Sequence, residues 1–254
     1  MAKRGRRLKE NDSSNKTKRA ILKLLQCFFI TTMIVSAIFI YKWWKDNKNN
    51  SRLLESISEH VIKENDGKYK INFNELKTIN NEIIGWIKVE GTGIDYPVLQ
   101  HTDNEYYLKY SFDRTYNRAG WVFADYTNKL NNTDQNLVIY GHNRKDGSMF
   151  GTLKNVLKEE WYNNEKNKYI NYITENSNNT YELFSVYKIE NEDYYIRTKF
   201  NNDKEFQAFI DTIKSRSIKN FNIEVTSKDN ILTLSTCADN NNYRVVLHAK
   251  KINK

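Results

Sequence analysis

One proline in 254 residues, Pro97, and nine glycines leave the chain without a Pro/Gly/Ser-rich stretch of the kind that links domains. A chain of this length without such a linker is expected to form one folded domain. Cysteine is almost as scarce, with Cys27 and Cys237 the two present. No His/Cys cluster has metal-ligand spacing and no glycine loop could cradle a phosphate, so neither a metal nor a cofactor is expected. The carboxylates are scattered, which leaves only a weak calcium site open. Internal repeats are missing too. The Asn-X-Ser/Thr triplets at Asn131 and Asn178 are what an asparagine-rich composition yields by chance.

The formal charge of +9 suggests a nucleic-acid binder until it is located. Residues 1–23 hold nine Lys/Arg against Glu10 and Asp12, a surplus of seven, which leaves +2 for everything else. The remainder is nearly neutral, and no nucleic-acid partner is expected. Directly after the basic block comes LLQCFFITTMIVSAIFIY, residues 24–41, eighteen residues without a charge, followed by Trp43 and Trp44. That run is long enough to span a bilayer with aromatics at the interface, and the one-sided Lys/Arg excess keeps the N-terminus in the cytoplasm. The rival reading is a cleaved signal peptide cut near Val35-Ser36-Ala37. Apolar residues continue past that point, which favours a signal-anchor, and both readings export the rest of the chain. Cys27 lies inside the span, where a small buried hydrophobe is the simplest reading. Cys237 is then the lone exported cysteine, with no partner for a disulfide in its own domain.

Residues 46–51 (DNKNNS) read as a polar tether. Leu53, Leu54, Ile57, Val61 and Ile62 then recur at helical spacing, and a second short helix is expected over residues 74–81. The pattern changes to short segments rich in Val, Ile, Tyr and Phe: WIKVEG, IDYPVLQ, GWVFAD, NLVIYG, YINYIT, TYELFSVYKIE, YYIRTKF, ILTLSTC and YRVVLHAKKI. Eight or so such strands in a small domain argue for a mainly β fold, a closed or nearly closed barrel with added helices. One helix is expected over residues 148–161, with Phe150, Leu153, Leu157 and Trp161 on a stripe. Another is capped by Asn202, with Glu205 reaching back and Phe206, Phe209, Ile210 and Ile213 as its apolar face.

In ILTLSTC, alternation puts Ile231, Thr233, Ser235 and Cys237 on one face and Leu232, Leu234 and Thr236 on the other. The turn-rich residues 238–242 lead into YRVVLHAKKI, and a hairpin there would bring Arg244 beside Cys237. A thiolate nucleophile also needs a proton acceptor. His60 reads as a helix-surface residue, His101 as a loop residue and His248 as a mid-strand structural histidine. His142 follows NLVIYG, where a buried strand ends in a glycine that lets the chain turn, and it is the candidate acid/base. Arg244 could favour the thiolate and hold an oxyanion with its fork of donors. From spacing alone, this trio and a merely structural Cys237 both stay open.

TLSTC at residues 233–237 with the following strand and Arg244 resembles the C-terminal signature of sortases. YGHN at 140–143, leading into DGSMFGTL, resembles their histidine segment. Residues 83–108 (IIGWIKVEGTGIDYPVLQHTDNEYYL) and 117–125 (NRAGWVFAD) are similar to class B sortases in particular, and the likeness covers roughly residues 75–252. It implies an eight-stranded sortase-type barrel with N-terminal helices and a helix before the last strands. Cys237 would attack a threonyl carbonyl of a sorting signal, His142 would be the acid/base, and Arg244 would position substrate. Asn104, Leu108 and Ser235 would line the peptide groove. The resemblance further implies a surface-protein substrate and an amine acceptor on peptidoglycan, with a pilin lysine or water as alternative acceptors. The chain would then divide into a cytoplasmic basic tail (1–23), a transmembrane signal-anchor (24–44), a tether with a helix (45–72) and an extracellular catalytic domain (73–254). The five-residue link between Cys237 and Tyr243 departs from class B in being short, which leaves substrate preference open. Asp239 within it reads as a solvated turn residue rather than a triad carboxylate.

Overall fold

The structure, a computed structural model, describes residues 2–63, 69–130, 134–190, 192–237 and 243–252, with the backbone alone for residues 2–16, Lys63 and Cys237. The link after Cys237, with Asp239, and the triplet at Asn131 lie outside the described residues. The chain divides into two compact units, Met1–Lys48 and Asn49–Lys254.

The first unit is helical. One helix, α1 (Ala2–Ser58), runs through it, and Leu24, Phe28, Phe29, Met33 and Ile40 stand exposed on its sides. It is long and apolar enough to cross a membrane. Residues 46–51, expected as a tether, continue the helix instead. They contain neither Pro nor Gly, and extending an existing helix gains a backbone hydrogen bond per residue fixed, which outweighs the mild penalty of asparagine.

In the second unit Ile57 is wholly buried and Asn50 nearly so, the latter accepting from Asn117 Nδ2 at 2.7 Å. Val61 and Ile62 do not continue the helix. They belong to β1 (Val61–Lys63), paired antiparallel with β2 (Tyr69–Ile71), a state that suits β-branched residues. The short helix α2 (Phe73–Ile79) starts on Asn72, whose side chain accepts from the Glu75 N–H, and it buries Phe73 and Leu76.

Eight strands then close a barrel: β3 (Ile83–Val89), β4 (Asp95–Leu99), β5 (Phe123–Ala124), β6 (Asn136–His142), β7 (Tyr169–Thr174), β8 (Ser177–Glu190), β9 (Ile231–Cys237) and β10 (Tyr243–Ile252). Their order around the barrel is β10-β8-β7-β3-β4-β5-β6-β9, with β4/β5 and β6/β9 parallel and the other pairs antiparallel. Closure removes the exposed edges that an open sheet of this size would present. The expected alternation holds along β9. Leu232 and Leu234 join the main core with Val138, Ile139 and Leu247, whereas Ile231 faces a second cluster outside the barrel.

Two expected elements differ. Residues 148–161 form no single helix. A turn leads to the 3-10 helix Leu153–Leu157, Lys158 is extended, and α3 (Glu159–Tyr162) is one turn long. The stripe still buries Phe150, Leu153 and Trp161, because burial needs those side chains on one side of the backbone, not a regular helix. YYIRTKF is not a strand: Tyr194–Ile196 is a 3-10 turn. Tyr195 is wholly buried against Tyr187 and Ser235, and a closed barrel offers this segment no strand edge to join. The helix α4 (Asp203–Ser215) is as expected, with Asn202 Oδ1 accepting from the Glu205 N–H at 2.9 Å. Glu205 reaches back one residue further than a capping box, to the Asn201 N–H at 2.7 Å. Phe206, Phe209, Ile210 and Ile213 bury against Phe184, Ile231 and Val246, each contributing about 1.5 to 3 kcal/mol by removal from water. This layer fixes β8, β9 and β10 from outside.

Candidate active site

Three neighbouring strands set the site. The parallel β6/β9 pair runs in register from Asn136 opposite Ile231 to His142 opposite Cys237, so both residues end their strands side by side. On the other side of β9, Val246 pairs with Ser235, and the Val245 N–H donates to Thr236 Oγ1 at 3.0 Å. The β9/β10 ladder ends at the Val246–Ser235 pair, and Arg244 lies two residues beyond it at the Cys237 end of the sheet, held by β8 through its pairing with Ile189. His142, Cys237 and Arg244 thus form one row over β6, β9 and β10, with Cys237 in the middle.

His142 is almost fully buried. Its Nε2 lies 2.9 Å from the Leu108 carbonyl oxygen. A carbonyl only accepts, so Nε2 carries the proton and Nδ1 is the nitrogen left to take up or give one. The backbone behind the ring is held too: the His142 carbonyl accepts from the Arg144 and Phe150 N–H groups, both at 3.0 Å. Gly141 does not serve as a turn glycine here. It lies within β6, and a Cβ on it would come within 2.6 Å of the Phe150 ring, so its bareness makes room for that ring. Gly120 has the conformational role. Its φ is +59°, and a Cβ there would lie 2.4 Å from the Tyr107 carbonyl oxygen and 2.9 Å from the His142 ring.

A cavity of about 560 Å³ opens beside this row, lined by Asn104, Leu108, Phe123, Tyr140, His142 and Arg244, among others. Asn104 is fixed by Asp125. Its amide donates to Asp125 Oδ2 at 2.9 Å and its Oδ1 accepts from the Tyr126 N–H at 3.0 Å. Tyr140 donates to the same Asp125 oxygen at 2.8 Å, and Thr127 caps the other one through its N–H and hydroxyl. Asp125 thereby orients two lining side chains from behind. A second cavity, of about 420 Å³, touches Leu137, Asn230, Ile231 and Lys251 at the opposite strand ends and contains none of the candidate residues.

Five of the six residues singled out in the sequence, His142, Cys237, Arg244, Asn104 and Leu108, come together at one end of the barrel. Ser235 does not reach the cavity wall. It is wholly buried one pleat below Cys237, its hydroxyl 2.9 Å from the Tyr195 hydroxyl. The other histidines stay apart. His60 pairs with Glu75 at 2.6 Å, and His101 meets Glu82 at 2.9 Å and stacks on Tyr106. His248 is wholly buried, within 2.8 Å of both the Tyr187 and the Thr233 hydroxyls, and burial pushes its pKa down to about 3. Sequence reasoning missed Asp125, Tyr140, Lys109, Tyr116 and Arg118. Tyr140 stands two residues before His142 and so on the same face, a period-2 signal that was there to read.

Comparison with known proteins bears on the fold as a whole. The Sortase domain model matches residues 87–252. Sortase B of Staphylococcus aureus (strain NCTC 8325 / PS 47) is 35% identical over 240 residues, which is 92% of this chain and 98% of that protein. A Staphylococcus aureus sortase B–substrate complex superposes with a TM-score of 0.67 at 37% identity, covering 85% of this chain and 97% of that one. A sortase B complexed with triglycine gives a TM-score of 0.70 at 38% identity, with 82% and 97% covered.

Proposed function

The chain belongs to the sortase family, class B, a family of cysteine transpeptidases, and from that premise we propose that Cys237 is its nucleophile, His142 its acid/base and Arg244 its oxyanion and substrate-positioning group. The observation that carries the reading is the row of strand-end positions His142, Cys237 and Arg244 on adjacent strands. The Cys237 thiol gives its proton to His142 Nδ1, and the resulting thiolate attacks the carbonyl carbon of a threonyl residue in a sorting signal. The oxyanion that forms is met by the Arg244 guanidinium, a permanent charge with several donors. As the intermediate collapses, the carbon–nitrogen bond breaks and the leaving amine takes the proton from His142 Nδ1. A thioester on Cys237 remains. An acceptor amine then attacks that carbonyl, gives its proton to His142 and expels the thiolate. The Leu108 carbonyl keeps Nε2 protonated throughout, so the exchanging nitrogen is the same in both halves.

Asn104 and Leu108 line the peptide groove in this reading, with Ser235 buried away from the cavity and its hydroxyl against that of Tyr195. The acceptor is an amine of peptidoglycan; a sortase B complexed with triglycine is among the structural relatives and supports an amine acceptor. The apolar part of α1 is the membrane anchor, with the basic tail (1–23) cytoplasmic, the span at 24–44 and the barrel outside the cell; the exposed apolar sides of α1 support this. Protease added to intact cells should then remove a C-terminal tag and spare an N-terminal one.

The test of the chemistry uses the full-length chain in detergent and a panel of five-residue signals, asparagine-led and leucine-led, with proline second and threonine fourth. Mass spectrometry should find an acyl group on Cys237, released by added triglycine as a new amide, and nothing on Cys237→Ala. Labelling of Cys237 by a thiol probe without acylation by any peptide would leave the nucleophile standing and remove the substrate class. Release that ignores rising triglycine and yields only acid would make the protein a hydrolase.

A further inference from the structure

The wall of the catalytic cavity next to His142 carries more positive charge than the proposed mechanism uses. Besides Arg244, the lining includes Lys109, Arg118 and Tyr116, and no carboxylate is among the described lining residues. All three are exposed, Tyr116 by 61%. Among the described residues, no ion pair engages the Lys109 ammonium or the Arg118 guanidinium. Nearby acids are committed elsewhere: Asp113 accepts from Ser111 and Thr115, and Asp125 from Asn104, Tyr140 and Thr127.

The backbone that carries these cations is fixed. Their backbone belongs to one tight loop, in which Tyr110 bridges Tyr116 and the Asn117 N–H donates to the Lys109 carbonyl at 2.9 Å. Tyr106 stacks on Tyr110 along it, and Tyr110 meets Tyr116 edge to face. The same loop supplies the Leu108 carbonyl that holds His142, and Gly120 at its end abuts the imidazole. It therefore lies on the His142 side of the row, whereas Arg244 lies on the far side of Cys237.

That placement identifies what the cations face. A group that protonates the leaving nitrogen and deprotonates the incoming one must lie within hydrogen-bond reach, about 3 Å, of both. The amine partner thus occupies the His142 side. We propose that Lys109 and Arg118 form a carboxylate-binding subsite for the acceptor, so that the enzyme selects amines carrying a carboxylate within about a tripeptide's length of the attacking nitrogen. The proposal rests on the transpeptidase reading above and names the chemistry of its second substrate. Arg118 offers a planar fork that matches a carboxylate, and Lys109 adds a mobile charge. Tyr116 provides an exposed ring for the acceptor backbone to lie on.

Triglycine and triglycinamide test it, since they differ only in the terminal carboxylate. With the full-length chain in detergent, acylated by the fastest peptide of the panel, triglycine should show the lower KM, and raising salt should erase its advantage. Lys109→Gln and Arg118→Gln should each raise the KM for triglycine about three- to tenfold, the size of an exposed charge-assisted contact, with a much smaller effect on triglycinamide. Thioester formation should change less than transfer does. Equal KM values for the two acceptors in the unsubstituted protein, or equal losses on both in the variants, would overturn the subsite. A fall in thioester formation as large as the fall in transfer would also overturn it, by assigning the cations to the sorting signal. If no peptide acylates Cys237, the failure is that of the proposed first substrate. Saturation-transfer NMR of triglycine against triglycinamide on the unacylated protein then decides the subsite by itself, with preference for triglycine supporting it and parity refuting it.

Discussion

His142 and Cys237 are direct register partners in a parallel strand pair, each the last residue of its strand. Their backbone separation is set by hydrogen bonding along seven paired positions, so the main chain of neither residue depends on a loop for its place. The chemistry should accordingly be sensitive to what each side chain can do and tolerant of surface change around it. Replacing His142 by Gln keeps a similar volume and removes the exchanging nitrogen, and we expect the acylation rate to fall by about 10²- to 10⁴-fold, the usual share of acid/base catalysis. Burst kinetics with a fluorogenic signal peptide measures this, and a loss below tenfold would remove His142 from the proton pathway.

Arg244 offers a second, separable test. Arg244→Lys retains the charge and loses the fork, whereas Arg244→Ala loses both. We expect kcat/KM to fall by about tenfold in the first and by about 10²- to 10³-fold in the second, in the range for removing an oxyanion donor. Equal effects would mean that the fork matters and the charge retained by lysine contributes nothing.

Gly120 tolerates no side chain. An alanine there would combine a left-handed backbone with contacts against the Tyr107 carbonyl and the His142 ring. The expected cost is about 1 to 3 kcal/mol of stability, together with a displaced imidazole. The urea midpoint and the acylation rate should both fall in Gly120→Ala. Unchanged activity with reduced stability would show that the Leu108 carbonyl holds the ring unaided.

Ser235 and Tyr195 should behave as a pair. Both are wholly buried and share a hydrogen bond, so Ser235→Ala and Tyr195→Phe should each cost about 1 to 3 kcal/mol, and the double variant less than the sum. A large rise in signal-peptide KM at undiminished stability would instead give Ser235 a direct contact with substrate.

His248 gives the fold a pH dependence. Its folded pKa, about 3, lies below the ordinary value near 6.5 because burial disfavours the charged ring. Above pH 6.5 both folded and unfolded forms are neutral and the group has no effect. As pH falls below 6.5 the unfolded chain binds a proton that the folded one refuses, and stability declines by about 1.4 kcal/mol per pH unit until the folded pKa is reached. Urea midpoints between pH 7.5 and 4.5 should show this slope, and His248→Gln should flatten it while lowering stability at pH 7.5.

Much of this was legible in the sequence because local pattern and global fold agree there. Period-2 alternation in ILTLSTC sorted Leu232 and Leu234 from Ser235 and Cys237, and the polar strand ends marked where chemistry gathers. Asn202 and the Phe206 to Ile213 stripe announced α4 for the same reason. Elements whose form depends on distant partners were not legible. The strand-like composition of residues 194–200 gave no hint that Tyr195 would turn inward onto Ser235. The helical stripe at 148–161 recorded what is buried but not the broken backbone that buries it. Asp125 was invisible as an organiser, since its worth lies in two side chains, Asn104 and Tyr140, from separate segments. Ser235 faced the expected way along β9, yet the Tyr194–Ile196 turn covers it.

The parallel sense of β6 and β9 has a consequence for when the thiol becomes dangerous. Antiparallel neighbours can meet through a hairpin as soon as both have been made. Parallel ones cannot, and the chain between His142 and Cys237 must first lay down β7, β8 and α4 and return to the same end of the barrel. In the exported topology proposed above, an extended chain crossing the membrane therefore carries a thiol without its imidazole. The reagent is assembled by the act of folding, at the place where folding happens.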